Sequence, residues 1–452
     1  MASRPEPKTD VLLDLLAGDC GKGKITDYLA DDYDAVVRFH GGNNAGHTIK
    51  VGDQTYKLHL VPSGVVHPGT LAVIANGAVV DPFFLTQELD YLTEAGIDYQ
   101  QTLKLSDRAH IILPYHRALD CIQEARRSAG DKIGTTKRGI SPCVSDKVNR
   151  KGLRVQDLLL DRDRLEARLH KVLDTRFRNE LQDSLDQLDL PDDEQAFIRE
   201  SLNVSALADK YHQIGRRLAP YICDTSLLLW RLLEEGKSVL CEGAQGVMLD
   251  LDHGNYEFVT SSNILPGAVN IGTGIPVTAI RDIYGVIKSF PTRVDSVGPF
   301  PTYDTGAVAE DIIERGLEFG TTTGRRRRLG WPDNVALRYA ARLTGVNKLA
   351  VTKLDVLSTV KELKIATAYR LPDGSVIDDY PSNAAILDSV EPVYQTIPGW
   401  DEDISKVKSF DELPEAAKNY LQMIADGAGV EITLIGVGQE RSQIIECSVL
   451  PR

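Results

Sequence analysis

The chain has 452 residues, with 51 Lys and Arg against 65 Asp and Glu, a formal net charge of −14. At 42% hydrophobic and 26% charged it has the composition of a globular protein, which excludes a wholly disordered or fibrous chain. The acidic balance argues against a bulk nucleic-acid binder, which needs a basic face, though not against a local basic pocket for phosphates or carboxylates. No stretch approaches the roughly 20 uninterrupted apolar residues of a membrane span. Residues 1–9 read as a polar extension, neither signal peptide nor transit helix. Six widely spaced cysteines without metal-ligand spacing read as reduced thiols of a cytoplasmic protein.

In chain order, apolar runs of strand length recur between helical patterns. They are Val11–Ala17, Val36–Phe39, Leu71–Ala75, Ser238–Cys241, Tyr284–Ile287, Leu349–Thr352 and Ile432–Ile435. Runs apolar on both faces suit buried parallel strands, and their alternation with helices predicts an α/β fold around one large, mostly parallel sheet. About residues 161–236 the chain turns highly charged. Leu165, Leu169, Val172 and Leu173 fall at helical spacing there, and Pro191 and Pro220 divide the stretch. This predicts a helical insertion on a single catalytic domain covering residues 10–452.

The first strand runs into Gly18-Asp19-Cys20-Gly21-Lys22-Gly23-Lys24, and a helical pattern starts near Ile25. Glycines let the backbone approach a ligand closely, and a helix N-terminus presents amides to anionic oxygens. The spacing nearly fits the Gly-x4-Gly-Lys-[Ser/Thr] phosphate loop, but Ile25 replaces the hydroxyl that would hold Mg²⁺. Asp19 is then the candidate metal ligand. The plainer alternative is a glycine-rich turn with solvated lysines. A second loop, Gly41-Gly42-Asn43-Asn44-Ala45-Gly46-His47-Thr48, also follows a strand and carries one imidazole. A lone histidine is more often structural than catalytic, but its place between glycines beside a phosphate-type loop makes His47 a candidate.

These two loops, in this order, resemble those of the adenylosuccinate synthetase family. The likeness extends through Gly134-Thr135-Thr136, Glu242-Gly243-Ala244-Gln245-Gly246, Val259-Thr260-Ser261-Ser262-Asn263 and Pro291-Thr292-Arg293-Val294. It continues in Thr321-Thr322-Thr323-Gly324-Arg325-Arg326-Arg327-Arg328 and Thr352-Lys353-Leu354-Asp355. The resemblance implies a homodimeric ligase that joins L-aspartate to IMP with GTP and Mg²⁺. It implies Asp19 as general base and metal ligand, His47 as acid, and Gln245 beside them. Asn44, Thr136, Gln245, Thr260 and Val294 match the monophosphate pocket, and Arg150 matches an arginine lent by the partner subunit. Thr322, Thr323 and Arg325 match the aspartate loop. Gly21, Lys22, Gly23, Thr48, Arg327, Lys353, Asp355, Gly436 and Gly438 match GTP contacts, and the carbonyl of Gly46 matches a metal ligand. Four successive arginines elsewhere would read as a solvated basic face. Behind a Thr-Thr-Thr-Gly run in an acidic chain, they suit bidentate recognition of carboxylates and phosphates.

The sequence departs from the family pattern around the phosphate loop. Asp14-Leu15-Leu16-Ala17 replaces the usual Gly-x-Gln-Trp, Cys20 stands where Glu is usual, Lys137 where Gly is usual, and Gly436 where Ser is common. Asp14 is the most informative. A carboxylate inside an apolar strand needs a partner. That partner is either structural or the 2-amino group of a guanine. The second reading places Asp14 in the nucleotide site and makes dGMP the alternative substrate, as in phage relatives of the family. A non-catalytic nucleotide-binding paralogue is the third reading, disfavoured because Asp19 and His47 are both present.

Overall fold

The computed structural model describes residues 8–52, 54–128, 134–173, 181–184, 191–293, 298–320 and 324–452. Ten strands form the central sheet, numbered here in chain order: β1 (Lys8–Asp14), β2 (Ala35–Arg38), β3 (Leu71–Ile74), β4 (Leu103–Ser106), β5 (Ile222–Cys223), β6 (Ser238–Glu242), β7 (Ile280–Lys288), β8 (Lys348–Thr352), β9 (Ile432–Gly436) and β10 (Ile444–Val449). They lie in the order β10-β9-β8-β7-β1-β6-β2-β3-β4-β5. Every neighbouring pair is parallel except β9 with the edge strand β10. The mostly parallel α/β sheet expected from the sequence is therefore present, and all seven predicted runs fall on its strands.

The centre is apolar on both faces. Val11 and Leu13 pack with Leu229, Leu233, Ile264 and Val269 on one side. Leu12, between them, packs with Ile25 and Leu29 on the other. Helices cover both faces, so the middle strands read as continuous apolar runs rather than alternating ones. Ile25, where a standard phosphate loop has a hydroxyl, is fully buried in this second layer. That position faces the sheet, not the ligand side.

The stretch 161–236 carries helices Arg162–Val172, Asp192–Ser201, Val204–Leu218 and Thr225–Glu234 among its described residues, with Leu165, Leu169, Val172 and Leu173 buried as their spacing predicts. It is not wholly helical, because β5 pairs with β4 at the sheet edge. Two further β elements lie outside the central sheet. One is the antiparallel sheet of Glu362–Arg370, Val376–Ile377 and Glu391–Pro398. The other is the hairpin His47–Val51 with Gln54–Leu58.

The chain leaves β1, β2, β6, β7, β8 and β9 on one side of the sheet, because parallel strands all present their carboxyl ends together. Packing there is tight. The Phe39 carbonyl, just past β2, lies between Gly77 and Gly272. A Cβ at either glycine would stand 2.0 or 2.1 Å from that oxygen. Neither approach can relax without moving the loop that carries His40 to His47. Gly77→Ala should therefore destabilise the protein by about 1–3 kcal/mol, as overpacking of a close backbone contact does. Urea unfolding checks this, with an unchanged midpoint as the contrary result.

Candidate functional site

Loops from those six strand ends line one cleft of about 590 Å³. Among the candidate residues, Asp19, Gly21, Lys22 and Gly23 line it from the loop after β1. Asn44, Gly46, His47 and Thr48 line it from the loop after β2, and Thr136, Gln245, Thr260, Arg327, Lys353, Asp355 and Gly438 complete the wall. Asp14, Arg150, Arg325 and Gly436 are not among the lining residues. Val294, Thr322 and Thr323 lie outside the described residues.

The loop after β1 turns through three left-handed residues, Gly18 (φ 91°), Asp19 (φ 59°) and Gly21 (φ 87°). The helix Lys22–Leu29 begins immediately after it, with its amino end at the cleft. Lys22 does not lie free as a phosphate lysine: its Nζ donates to the Gln245 carbonyl at 2.5 Å. The Lys24 ammonium donates to the carbonyls of Gly438 (2.8 Å) and Gln443 (3.1 Å). Burial lowers its pKa to about 8, against the opposing pull of Asp355.

Two buried carboxylates organise the charged groups. Glu242, at the end of β6, accepts from His47 Nδ1 at 2.6 Å, from Ser63 N at 3.0 Å and from Ser63 Oγ at 2.5 Å. Arg38 Nη2 lies 3.4 Å from it. Burial alone would raise the Glu242 pKa, but His47 and Arg38 outweigh it and hold the group ionised. Burial, reinforced by Arg38, takes the His47 pKa down to about 4. The neutral ring therefore donates Nδ1–H to Glu242, a tautomer inferred from the partner, and Nε2 is left with its lone pair. One arginine already balances the carboxylate, so a dry site has no call for a second cation.

Glu318 is the second centre. It is fully buried and accepts from Lys288 Nζ (2.8 Å), Arg327 Nη1 (2.6 Å) and Lys353 Nζ (2.5 Å). Burial would raise its pKa, but the three cations together keep it well below the ordinary carboxyl range. Lys288 is pushed down to about 8 by burial, despite Glu318. From this anchor Arg327 reaches Asp19, with Nε at 2.9 Å and Nη2 at 2.8 Å from Oδ2.

The four arginines thus separate. Arg325 donates to the Gly134 carbonyl at 3.0 Å, in the loop before Thr136. Arg326 pairs with Glu310, and Arg328 donates to the Gly298 carbonyl and covers the rings of Phe300 and Tyr303. Arg327 was expected on the GTP side. It does line the cleft, and its hydrogen bonds go to Asp19 and Glu318. Lys353, paired in the sequence reading with Asp355, is tied to Glu318 and to the Gly316 carbonyl at 2.7 Å. Asp355 Oδ1 is buried without a hydrogen-bond partner, and burial raises its pKa.

Of the two readings of Asp14, a structural carboxylate or an acceptor for a guanine, the geometry favours the first. Asp14 Oδ1 accepts from Leu16 N at 2.8 Å and its Oδ2 from Cys20 N at 3.1 Å, behind the cleft wall. Both oxygens serve the loop rather than a ligand. Arg150 (φ 61°) is exposed and does not line this cleft. The sequence reading assigned no role to Arg38, Glu242, Lys288 or Glu318. The available signal was a charged residue closing an apolar strand run, as at Arg38, Glu242 and Lys288.

No cluster of three or more His, Cys, Asp or Glu side chains suited to a metal occurs among the described residues. One carboxylate, Asp19, with the Gly46 carbonyl on the same cleft is a donor set that fits Mg²⁺. That ion commonly takes one or two carboxylates and completes its shell with phosphates and water.

The family model for adenylosuccinate synthetase matches residues 11–445. The chain belongs to the adenylosuccinate synthetase family, a family of C–N ligases. It is 47% identical to the adenylosuccinate synthetase of Moorella thermoacetica, over 96% of this chain and 98% of that one. It is 46% identical to that of Geobacillus kaustophilus, over 94% and 95%. The solved structure of a fully ligated adenylosuccinate synthetase from Plasmodium falciparum superposes with a TM-score of 0.86 at 36% identity, over 97% of this chain and 99% of that one. The cyanophage S-2L succinoaminodeoxyadenylate synthetase, solved with dGMP and dATP, shares the fold with a TM-score of 0.58 at 17% identity, over 97% and 95%.

Glu318 gives a test of this electrostatic frame. Glu318→Gln leaves three cations facing one neutral amide and should cost about 3–5 kcal/mol near neutral pH, as breaking a buried ion pair does. The folded carboxyl titrates below its unfolded value of 4.5. Its contribution is therefore complete above that value and disappears as the pH falls below it. Chemical denaturation from pH 7 down to pH 3 should show the gap between wild type and variant narrowing. A gap constant with pH would contradict the assignment.

Proposed function

We propose that this protein joins L-aspartate to C6 of IMP with hydrolysis of GTP, forming adenylosuccinate through a 6-phosphoryl intermediate. The observation that carries the reading is one cleft in which Asp19, backed by Arg327, and His47, backed by Glu242, flank the amino end of the Lys22–Leu29 helix. A lactam oxygen is a poor nucleophile until N1 loses its proton. Arg327 engages only Oδ2 of Asp19, so Oδ1 is available to take that proton. O6 then attacks the γ-phosphorus of GTP and GDP leaves as the β,γ-bridge breaks; the amine of aspartate then bonds to C6, loses a proton and expels inorganic phosphate. Two manageable steps replace one difficult displacement of oxide.

His47 enters neutral, and the approaching polyanion raises its proton affinity, so that Nε2–H can donate to the phosphoryl oxygens while Glu242 holds Nδ1. The amides of Gly21, Lys22 and Gly23 at the helix N-terminus, together with Thr48, receive the phosphates. Asp19 and the Gly46 carbonyl would hold Mg²⁺, which would supply charge neutralisation at the phosphates. The Asp355 carboxylate, whose buried Oδ1 has no hydrogen-bond partner, suits the N1–H and 2-amino donors of guanine, with Lys353, Gly436 and Gly438 beside it. Asn44, Thr136, Gln245, Thr260 and Val294 receive the purine monophosphate. Thr322, Thr323 and Arg325 receive aspartate, the last from its tie to the Gly134 loop.

Residues 10–452 act as one catalytic unit in this reading, and the protein is a cytoplasmic homodimer. The six free cysteines suit a reducing compartment. Identity of 46–47% to enzymes named adenylosuccinate synthetase, and the commitment of Asp14 to backbone amides, favour IMP over dGMP.

A panel of IMP, dIMP, GMP and dGMP, each with aspartate and GTP or ATP, tests the assignment by mass detection of the succinyl product. IMP with GTP should lead. ATP should be poorer by up to about 10⁴-fold, the penalty for leaving a buried polar group unpaired. Asp19→Ala should remove at least about 10²-fold in kcat while leaving the fold intact. Turnover of dGMP above IMP, or an active Asp19→Ala protein, would overturn the assignment.

The dimer makes a separate prediction. Arg150→Leu and Asp19→Ala, each inactive alone, should regain activity when mixed and allowed to exchange subunits, because one hybrid site holds both native residues. Verified exchange without recovered activity would rule out a shared site.

A further inference from the structure

From the buried contacts behind the cleft we infer that Asp14 is a positioning residue, which holds Asp19 and Lys22 in their working geometry without touching substrate. Its side chain is fully buried at the end of β1. Oδ1 accepts from Leu16 N at 2.8 Å and Oδ2 from Cys20 N at 3.1 Å, so one carboxylate spans the loop on both sides of Asp19. The Cys20 carbonyl is held as well, by Thr352 Oγ1 at 2.6 Å. With its N–H and its C=O both fixed, Cys20 leaves the preceding peptide little room. Asp19 is kept at φ 59°, a conformation a non-glycine residue holds only when its surroundings over-determine it.

The same carboxylate reaches a second loop. Lys22 Nζ lies 3.7 Å from Asp14 Oδ2 and donates to the Gln245 carbonyl. Gln245 is itself left-handed, at φ 52°. A Cβ on the next residue, Gly246, would stand 2.8 Å from Asp14 Oδ1 and 2.3 Å from the Leu16 carbonyl. Asp14 thus balances the buried ammonium and fills the space beneath the Gln245–Gly246 turn. Two loops that face the substrate are braced from behind by one group.

The inference rests on the ligase reading above, and its test separates the two. Asp14→Asn keeps the shape and one acceptor, but its NH₂ faces a backbone N–H and it carries no charge. Asp14→Ala removes everything. Both are assayed with IMP, aspartate and GTP, beside thermal unfolding, with rates normalised to folded, nucleotide-binding sites. Misplacement of a catalytic group by about 1 Å can cost about 10²-fold. The expected result is a kcat about 10- to 100-fold lower for Asn and lower again for Ala. The KM values for the three substrates should stay within about threefold of wild type, and the dGMP to IMP selectivity should be unchanged.

A purely structural carboxylate would lower the unfolding temperature while leaving kcat per folded site intact, and that result overturns the inference. So does a selective rise in KM for the monophosphate, or a fall in dGMP use relative to IMP, either of which would put Asp14 at the base edge. If the alanine protein does not fold, the asparagine protein decides alone. Absence of wild-type turnover would defeat the ligase reading instead.

Discussion

A carboxylate without water is stable only where cations or N–H donors close around it, and the cleft is built on two such groups. Glu318 gathers Lys288, Arg327 and Lys353 from three separate segments of the chain. Glu242 gathers Arg38, His47 and Ser63. Neither has exposed side-chain surface. Each therefore fixes its partners at the cost of their freedom, and the partners in turn hold what reaches the cleft. Arg327 leads to Asp19, and His47 is itself on the wall. The Coulomb energy of these groups sets the geometry in which the chemistry is proposed to occur.

The sheet makes that arrangement possible. Parallel strands present their carboxyl ends on one side, so Asp14, Arg38, Glu242, Lys288 and Thr352, all at or beside strand ends, arrive within reach of one another although hundreds of residues separate them in sequence. Each position is reached because its strand is buried on both faces and cannot slide without moving apolar side chains out of the core. The rigid frame is apolar; the function is carried by short loops anchored to it through buried charge.

Much of this was legible in the sequence. Seven of the ten strands announced themselves as apolar runs, and the glycine loops announced close backbone approach. β4 and the two edge strands, β5 and β10, did not. Leu103–Ser106 and Ile444–Val449 mix polar and apolar residues, and Ile222–Cys223 is only two residues long. The partners of the buried charges were illegible for a different reason: nothing local says that Glu318 will meet Lys288. Arg327 shows the limit clearly, since four adjacent arginines look alike in sequence and diverge to four destinations in the fold. Asp14 shows another. A carboxylate in an apolar run signalled an unusual partner, and only the fold could say that the partners were the amides of its own loop.

The two-step reaction is the centre of the account, and oxygen exchange within GTP examines it most directly. GTP carrying ¹⁸O in the β,γ-bridge is incubated with the wild-type protein and Mg²⁺, with aspartate omitted, in the presence or absence of IMP. Reversible transfer of the γ-phosphoryl group to O6 frees the β-phosphate to rotate, so the label should scramble into non-bridging positions when IMP is present and stay in the bridge when it is not. Scrambling that ignores IMP, or product formation with full aspartate and no exchange without it, would contradict a 6-phosphoryl intermediate formed ahead of aspartate attack.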